Sequence, residues 1–306
     1  RKSSMSEIKH ITVMLHEAVD YLNVEKDNWY VDCTFGRGGH TQKIMESGGK
    51  VIAFDFDQES VNKGKAKFAG EIEKENLILV RENFDQLLST LKHLQGTHNI
   101  SEISGILFDF GTSTDQLMSD SRGFSFSNKH SDLDMRMDDR LGVKASDLLK
   151  VLPAKELTRI FRDLGGEKNA KSIARAITRM RDENPQQLES VGSLVKAVSI
   201  SGRFQKGRLH PATKVFQALR IVVNDEIGNI EKALPQALEI IKPAGRIVTI
   251  AFHEGEDRLV KQTFNTWELE NKGSKVTKKA IKPSEEETTT NPRSRSARLR
   301  VFERAI

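Results

Sequence analysis

Cysteine, tryptophan and tyrosine are scarce in this sequence, and long hydrophobic runs are absent. A single cysteine, Cys33, among 306 residues excludes a disulfide-stabilised scaffold and favours a reducing compartment. We interpret Cys33 as a small buried hydrophobe rather than as a nucleophile. No apolar run approaches the roughly 18 residues that span a bilayer, and the first residues lack the apolar segment of a secretory signal. We therefore expect a cytoplasmic protein with no membrane partner.

The charge of the chain is only moderately basic. Hydrophobic residues make up 37% and charged residues 30% of the sequence, which is typical of a globular protein with one large domain or two modest ones. The 48 basic and 43 acidic residues leave a net charge of +5, too small an excess to indicate a nucleic-acid partner by itself. Basic residues gather, however, in the segments 203–208 and 293–300. These clusters favour phosphate contacts over an ordinary solvated face.

The most informative segment joins two short apolar strands through a glycine turn. The first strand contains Asp32, the turn spans 36–39, and the second strand ends at Asp55. Glycine lets the backbone approach a ligand closely, and a carboxylate at the end of a second strand can accept the hydroxyls of a ribose. The third glycine of the dinucleotide pattern is replaced by Thr41. The segment therefore favours S-adenosyl-L-methionine over NAD, with a turn that binds no ligand as the alternative.

Apolar runs separated by helical stretches predict an α/β fold. The runs are Trp29–Cys33, Val51–Asp55, Leu77–Val80, Gly105–Phe110 and Arg246–Phe252, with a last strand at Ala297–Glu303. This alternation predicts a doubly wound parallel sheet of the Rossmann-like type. Ligands bind beyond the carboxyl ends of such strands. Gly38, Asp55, Phe84 and Asp109 are therefore expected to converge at one edge.

A helical segment interrupts the alternation of strands and helices. The predicted helices are Ala145–Val151, Ala154–Leu164, Glu167–Asp182 and Leu188–Ser199. We therefore predict a sheet domain formed by residues 1–117 and 210–306, with a helical insertion at 118–209. A long helix is predicted from Ala212 to Ile241, bent at Pro235, and the polar segment 266–290 is predicted to form loops.

Five further stretches are specific enough to suggest a family. They are Asp109–Leu117, Arg122–Phe126, Leu133–Asp138, His210–Glu226 and Asn291–Arg300. Together with the glycine turn, they resemble the RsmH (MraW) family of bacterial S-adenosylmethionine-dependent methyltransferases. That family acts on cytosine N4 of small-subunit (16S) ribosomal RNA, and the resemblance extends from His10 to Arg304.

The resemblance implies a set of functional residues. The implied cofactor contacts are Gly38, Gly39, His40, Asp55, Phe84, Asp109 and Gln116. Asp109 is also the catalytic candidate, because an acceptor aligned on the cytosine amine would help a weak nucleophile react and would take up the released proton. The alternative is that Asp109 only positions the cofactor.

The sequence departs from the family pattern clearly at two places, and slightly at a third, Leu164–Glu167, where the family has Tyr-Gly-Glu. Thr112-Ser113-Thr114-Asp115 stands where the family usually has Val-Ser-Ser-Pro, and Glu254-Gly255 stands where it has Ser-Leu. His253 and the acids after it superficially resemble a metal site, but a helix N-terminus with acids in its first turn explains them better, so we expect no metal.

The resemblance also implies the partner. We expect small-subunit ribosomal RNA, or an assembling small subunit, to be held by the helical insertion and by five basic residues, Arg203, Lys206, Arg208, Arg298 and Arg300. Two alternatives stay open: a DNA amino-methyltransferase, and an RNA-binding protein that binds the cofactor with lost or altered activity. The oligomeric state is also open, with a homodimer as one option.

Overall fold

The computed structural model describes residues 11–111, 122–125, 128–201 and 210–306. Within them lies a seven-stranded sheet with the order β3-β2-β1-β4-β5-β7-β6. The strands are β1 (Trp29–Asp32), β2 (Lys50–Phe54), β3 (Leu77–Val80), β4 (Ile103–Asp109), β5 (Ile241–Ala251), β6 (Gly273–Lys275) and β7 (Arg298–Arg304). Strands β1 to β5 pair in parallel, whereas β7 is antiparallel to both β5 and β6. The predicted doubly wound α/β fold is confirmed, with two antiparallel strands added at one edge.

The helices follow the strands in the order expected of this fold. They are α1 (Leu15–Leu22), α2 (Gly39–Glu46), α3 (Gln58–Lys67), α4 (Ala69–Glu73), α5 (Leu87–Thr97), α6 (Ala145–Val151), α7 (Ala154–Asp163), α8 (Ala170–Glu183), α9 (Val191–Ser201), α10 (Thr213–Val223), α11 (Glu226–Ile240), α12 (Glu254–Leu269) and α13 (Glu285–Thr290). Among the described helices, none has the length and apolar character required to cross a membrane.

The sheet separates two hydrophobic cores. Side chains alternate between the faces of a strand, so Val31 packs in one core while Tyr30 packs in the other. The first core is completed by α5, α12 and the C-terminal part of α11, and the second by α1 and α2. Because both faces are covered, β1 and β2 are almost continuously apolar. Asp32, at the end of β1, is a buried exception.

The chain divides into two compact units. One consists of the residues up to Gly111 together with Asn229–Ile306, and the other runs from Thr112 to Gly228. The second unit contains helices α6 to α10, packed through buried residues such as Phe161 and Ile177. Helix α10, which the sequence predicts in the sheet domain, lies in this helical unit.

The helix predicted from Ala212 to Ile241 is in fact two helices, α10 and α11. The break lies at Asn224 and Asp225, and Asp225 has a left-handed backbone with φ 48°. The side-chain amide of Asn224 donates to the carbonyl oxygen of Met135 at 2.8 Å. Such side-chain bonds to backbone groups compete with helix continuation. Pro235 lies inside α11, and the bend expected there stays a prediction.

The segment 266–290, predicted to form loops, contains the end of α12, strand β6 and helix α13. Helix α13 begins after Ser284, whose side-chain oxygen accepts a hydrogen bond from the Glu287 N–H at 3.1 Å. A serine followed three residues later by glutamate is a recognised helix start. This signal was present in the sequence and was missed.

Candidate active site

Three neighbouring parallel strands end in carboxylates at the same edge of the sheet. Asp32 is the last residue of β1, Asp109 is the last residue of β4, and Asp55 follows β2 directly. These strands are adjacent in the sheet. Asp32 and Asp55 are buried, and the side chain of Asp109 is 23% exposed. The carboxyl edge of the sheet therefore brings three carboxyl groups together in a largely desolvated place.

The glycine turn lies beside Asp55 and is tightly packed. The Gly36 N–H donates to Oδ2 of Asp55 at 2.8 Å. Gly38 has φ 75° and precedes α2, and a Cβ built there would lie 2.7 Å from the rings of Phe35 and Phe68. A Cβ on Gly39 would overlap the hydroxyl of Thr12. Glycine at 38 and 39 is thus required by the packing of the chain itself, a reason that sequence analysis had not identified.

Asp55 is held by two backbone hydrogen bonds. Besides the Gly36 N–H, the Asp57 N–H donates to Oδ1 at 2.9 Å. Burial raises the pKa of Asp55 to about 7, although both hydrogen bonds favour the ionised form. Each carboxylate oxygen accepts only one of these bonds and has a second lone pair. Asp55 can therefore accept further hydrogen bonds from a ligand.

His40 lies in the first turn of α2 and points toward Asp109. Its Nε2 lies 3.1 Å from the carbonyl oxygen of Val13. Because a carbonyl only accepts, Nε2 carries the hydrogen and donates it. The other ring nitrogen, Nδ1, lies 3.7 Å from Oδ2 of Asp109. Burial lowers the pKa of His40, an effect that the charge of Asp32 opposes, so we assign a neutral ring with a bare Nδ1 facing Asp109.

Asp109 is positioned through its backbone, while part of its carboxylate is left unsatisfied. Its N–H donates to Oγ1 of Thr34 at 2.8 Å. Its Oδ1 is buried and has no hydrogen-bond partner among the described residues. Burial raises the pKa of Asp109 well above its usual range, and the charges of Asp32, Glu256 and Glu287 raise it further. The site therefore favours a proton or a cationic ligand next to Asp109.

Asp32 supports the site and was not among the predicted site residues. Its Oδ2 accepts from the Thr41 hydroxyl at 2.7 Å, and its Oδ1 accepts from the Thr34 N–H at 3.0 Å. Thr41 occupies the place of the third glycine in the dinucleotide pattern. Its hydroxyl holds the Asp32 carboxylate, which explains why a threonine stands there instead of a glycine. The acid ahead of the glycines was visible in the sequence, but its connection to Thr41 was not.

Phe84 lies mainly in the core. It begins a short 3₁₀ helix, Phe84–Gln86, and is 9% exposed. Its ring meets Phe108 edge-on at 5.6 Å between centroids and lies 6.1 Å from Phe110. Only a small part of the ring is accessible to a ligand at the edge of the sheet, so an adenine contact stays a prediction.

His253 and the acids that follow it form the start of helix α12, as the sequence predicted. Nδ1 of His253 accepts from the Glu256 N–H at 3.4 Å. The Glu256 carboxylate accepts in turn from the Phe252 N–H at 2.8 Å and the His253 N–H at 3.3 Å. This reciprocal arrangement is a helix cap. Glu254, which departs from the family pattern, lies in the first turn, where a negative charge is favourable.

The predicted RNA contacts differ in their surroundings. Arg298 is exposed on β7. The Arg300 guanidinium instead donates twice to Asp257, at 2.8 and 3.1 Å, and the two side chains are only 12% and 15% exposed. Arg300 therefore forms a partly buried ion pair, which the interpretation of β7 as a strand with a solvated basic face does not predict. Gln116, Arg203, Lys206 and Arg208 lie outside the described residues.

A family model described as the MraW methylase family matches residues 7–305 of the chain. The chain belongs to this family. The match confirms the resemblance proposed from the motifs, and with it the methyltransferase class and S-adenosyl-L-methionine as the methyl donor.

Solved structures similar to this chain include an rRNA methylase from Streptococcus thermophilus, with 11% identity, a TM-score of 0.46 and coverage of 97% of this chain and 99% of that one. A methyltransferase-class protein from Streptococcus mutans, in complex with SAH, has 12% identity and a TM-score of 0.44, and the match covers 96% of this chain and 99% of that one. A methyltransferase homolog from Pyrococcus horikoshii has 13% identity, a TM-score of 0.43 and coverage of 96% and 68%.

Proposed function

We propose that this chain methylates N4 of a cytidine in small-subunit ribosomal RNA. The observation that carries the proposal is the Asp109 carboxylate at the carboxyl edge of the sheet, which is 23% exposed and whose Oδ1 has no hydrogen-bond partner among the described residues. An acceptor placed there fits an amine that must lose a proton. The family supplies the methylase class, and the resemblance of the motifs supplies cytosine N4 and the ribosomal substrate.

The charges of the site fit the expected cofactor. Asp32, Asp55 and Asp109 place three carboxyl groups at the carboxyl edge, which suits a cationic sulfonium and opposes the pyrophosphate of a dinucleotide. Asp55 would hold the ribose, and the turn at 36–39 together with His40 would lie along the methionine end. When bound, S-adenosyl-L-methionine supplies an electrophilic methyl group.

Asp109 would act on the cytosine amine. The N4 lone pair is delocalised into the ring, so an oxygen that accepts an N–H helps localise the lone pair on nitrogen. Methylation of N4 would require that nitrogen to release a proton. With a cationic ligand beside it Asp109 would be ionised, and it would then accept that proton readily because burial and neighbouring carboxylates raise its pKa.

His40 would position Asp109 and share the released proton. Its donor nitrogen is committed to Val13, so only the bare Nδ1 is directed at the Asp109 carboxyl, 3.7 Å away. Once Asp109 is protonated, Nδ1 of His40 can accept a hydrogen from it. Holding the reacting nitrogen about 3 Å from the methyl carbon would supply much of the rate enhancement that proton transfer does not.

We propose RNA contacts at fewer residues than the sequence indicated. Arg298 is exposed and available for a phosphate, whereas Arg300 is paired with Asp257. We retain Arg203, Lys206 and Arg208 as proposed contacts on the strength of their clustering alone, and we retain the helical unit as the proposed RNA-recognition domain.

The deciding experiment maps methylated cytidines in small-subunit RNA after incubating unmethylated ribosomal particles with the protein and labelled S-adenosyl-L-methionine. We expect one cytidine to gain an N4-methyl group. Label in double-stranded DNA and none in RNA would favour the DNA amino-methyltransferase. Cofactor and RNA binding without any transfer would favour a binding protein with lost activity.

A further inference from the structure

Helix α8 and the turn before it carry a row of basic side chains, which we term the α8 stripe. The α8 stripe consists of Lys168, Lys171, Arg175 and Arg179, all of them exposed. The sequence contains no acidic residue between Lys168 and Arg181. The stripe lies within the described part of the helical unit and is separate from the clusters that the sequence singled out.

The spacing places the stripe on one face of the helix. Lys171, Arg175 and Arg179 are four residues apart, so their side chains lie one above another. At 1.5 Å per residue they are about 6 Å apart along the axis and span about 12 Å. The opposite face, with Ile173 and Ile177, is buried in the helical unit. The helix thus packs through its apolar face and directs its basic face outward.

Ion pairing also distinguishes the stripe from its surroundings. Within the ranges that the structure describes, none of its four cations forms an ion pair, whereas neighbouring cations do. Arg159 pairs with Glu156 and Arg162 with Asp163, each at 2.8 Å. Like charges four residues apart repel and weaken a helix. Such a row of mutually repelling cations therefore lowers the stability of the helix, and binding an anionic partner would offset that loss.

We infer that the α8 stripe binds the phosphate backbone of the RNA substrate, an inference that rests on the proposed function. Arginine recognises phosphate through two parallel hydrogen bonds, and a regular row of cations matches a regular row of phosphates. An anionic membrane fits less well, because membrane-surface helices insert an apolar face. The apolar face of α8 is already buried in the protein.

The test compares two triple variants of the full chain with equal loss of charge. The stripe variant is K171Q/R175Q/R179Q, and glutamine preserves helix propensity. The control is K129Q/K155Q/K196Q, which neutralises three exposed lysines elsewhere in the helical unit. Circular dichroism establishes that both are folded. RNA affinity is measured on small-subunit RNA between about 50 and 200 mM salt, the range over which phosphate contacts weaken strongly.

In the stripe variant we expect the slope of log affinity against log salt to flatten by about 2 to 3, which is roughly one per lost phosphate contact. The KM for RNA should rise at least tenfold, while kcat at saturating RNA and the affinity for S-adenosyl-L-methionine stay unchanged. The control should retain the wild-type slope. Equal slopes in the stripe variant and the control would overturn the inference.

Two further outcomes separate the hypotheses. If the wild-type protein binds RNA through the stripe but transfers no methyl group to it, the inference stands and the proposed function fails. If the wild-type protein binds phosphatidylserine vesicles in a stripe-dependent manner, while RNA affinity is the same in both variants, the partner is a membrane surface and the inference fails.

Discussion

Replacing Asp109 by asparagine keeps a planar side chain of the same size at the end of β4 and removes its charge. If Asp109 accepts the amine proton, the substitution should lower turnover by about 10² to 10⁴, the usual range for a positioned acid or base. That loss corresponds to about 3–5 kcal/mol of transition-state stabilisation. The fold should not suffer to a similar degree, because Oδ1 of Asp109 has no hydrogen-bond partner among the described residues that the substitution could remove.

The stability of this variant should depend on pH in a defined direction. Burial raises the pKa of Asp109 in the folded protein above its unfolded value, so the ionised carboxylate destabilises the fold. This destabilisation is absent below about pH 4 and grows as the pH rises toward the raised pKa. The asparagine side chain of the variant does not titrate. The melting temperature of Asp109→Asn relative to wild type should therefore increase from about pH 5 to about pH 8.

The assay combines single-turnover methyl transfer at saturating S-adenosyl-L-methionine with thermal melts at both pH values. A folded variant with turnover within about twofold of wild type would refute the acceptor role and leave Asp109 as a scaffold residue. A variant that melts much lower than wild type at about pH 8 would refute the electrostatic argument, because removing a penalised charge cannot destabilise the fold through that term.

Three further predictions concern other parts of the site. Calorimetry should show the affinity for S-adenosyl-L-methionine falling as the pH drops through about 7, the pKa of Asp55. The Asp55→Asn variant should bind the cofactor more weakly, with an affinity independent of pH. Unchanged affinity in a folded variant would remove Asp55 from the site. Gly38→Ala should lower the free energy of unfolding by about 1–3 kcal/mol in denaturant melts, because the new Cβ meets two rings. The control Gly70→Ala, with no atom within 4 Å of its Cβ, should be neutral or stabilising. Equal effects of the two substitutions would contradict the packing argument. Arg300→Gln should lower stability by about 1–3 kcal/mol because it leaves Asp257 unpaired, while the salt dependence of RNA binding is retained. Arg298→Gln should flatten the slope of log RNA affinity against log salt by about 0.7 to 0.9 without loss of stability. The reverse pattern would restore Arg300 as the phosphate contact.

Most of the sheet was predictable from local patterns. Apolar runs such as 51–54 were long enough, and spaced regularly enough, to indicate buried parallel strands. The predictions failed where a single side chain decided the local structure. Asn224 ends a helix by bonding to Met135, a residue 89 positions away. Such a bond leaves no periodic signal, so the sequence predicted one helix where there are two.

The candidate site shows the same division. The strand-end acids Asp55 and Asp109 followed from the sequence, because parallel strands place their carboxyl ends together whatever the details of packing. The state of those acids did not follow, since burial and the charge of Asp32 determine their pKa values. Likewise, alternation along β7 predicted an outward-facing Arg300, but not its pairing with Asp257.

The sequence by itself determined the α/β fold, the family and the order of the strand-end residues, because these depend on patterns that are local or linear along the chain. The tertiary structure alone decided which nitrogen of His40 faces Asp109, why residues 38 and 39 must be glycine, and which arginines are free to meet an anion. Each of these depends on atoms brought together from distant parts of the chain. The free energies of burial, hydrogen bonding and charge pairing depend on that proximity, and no spacing in the sequence records it.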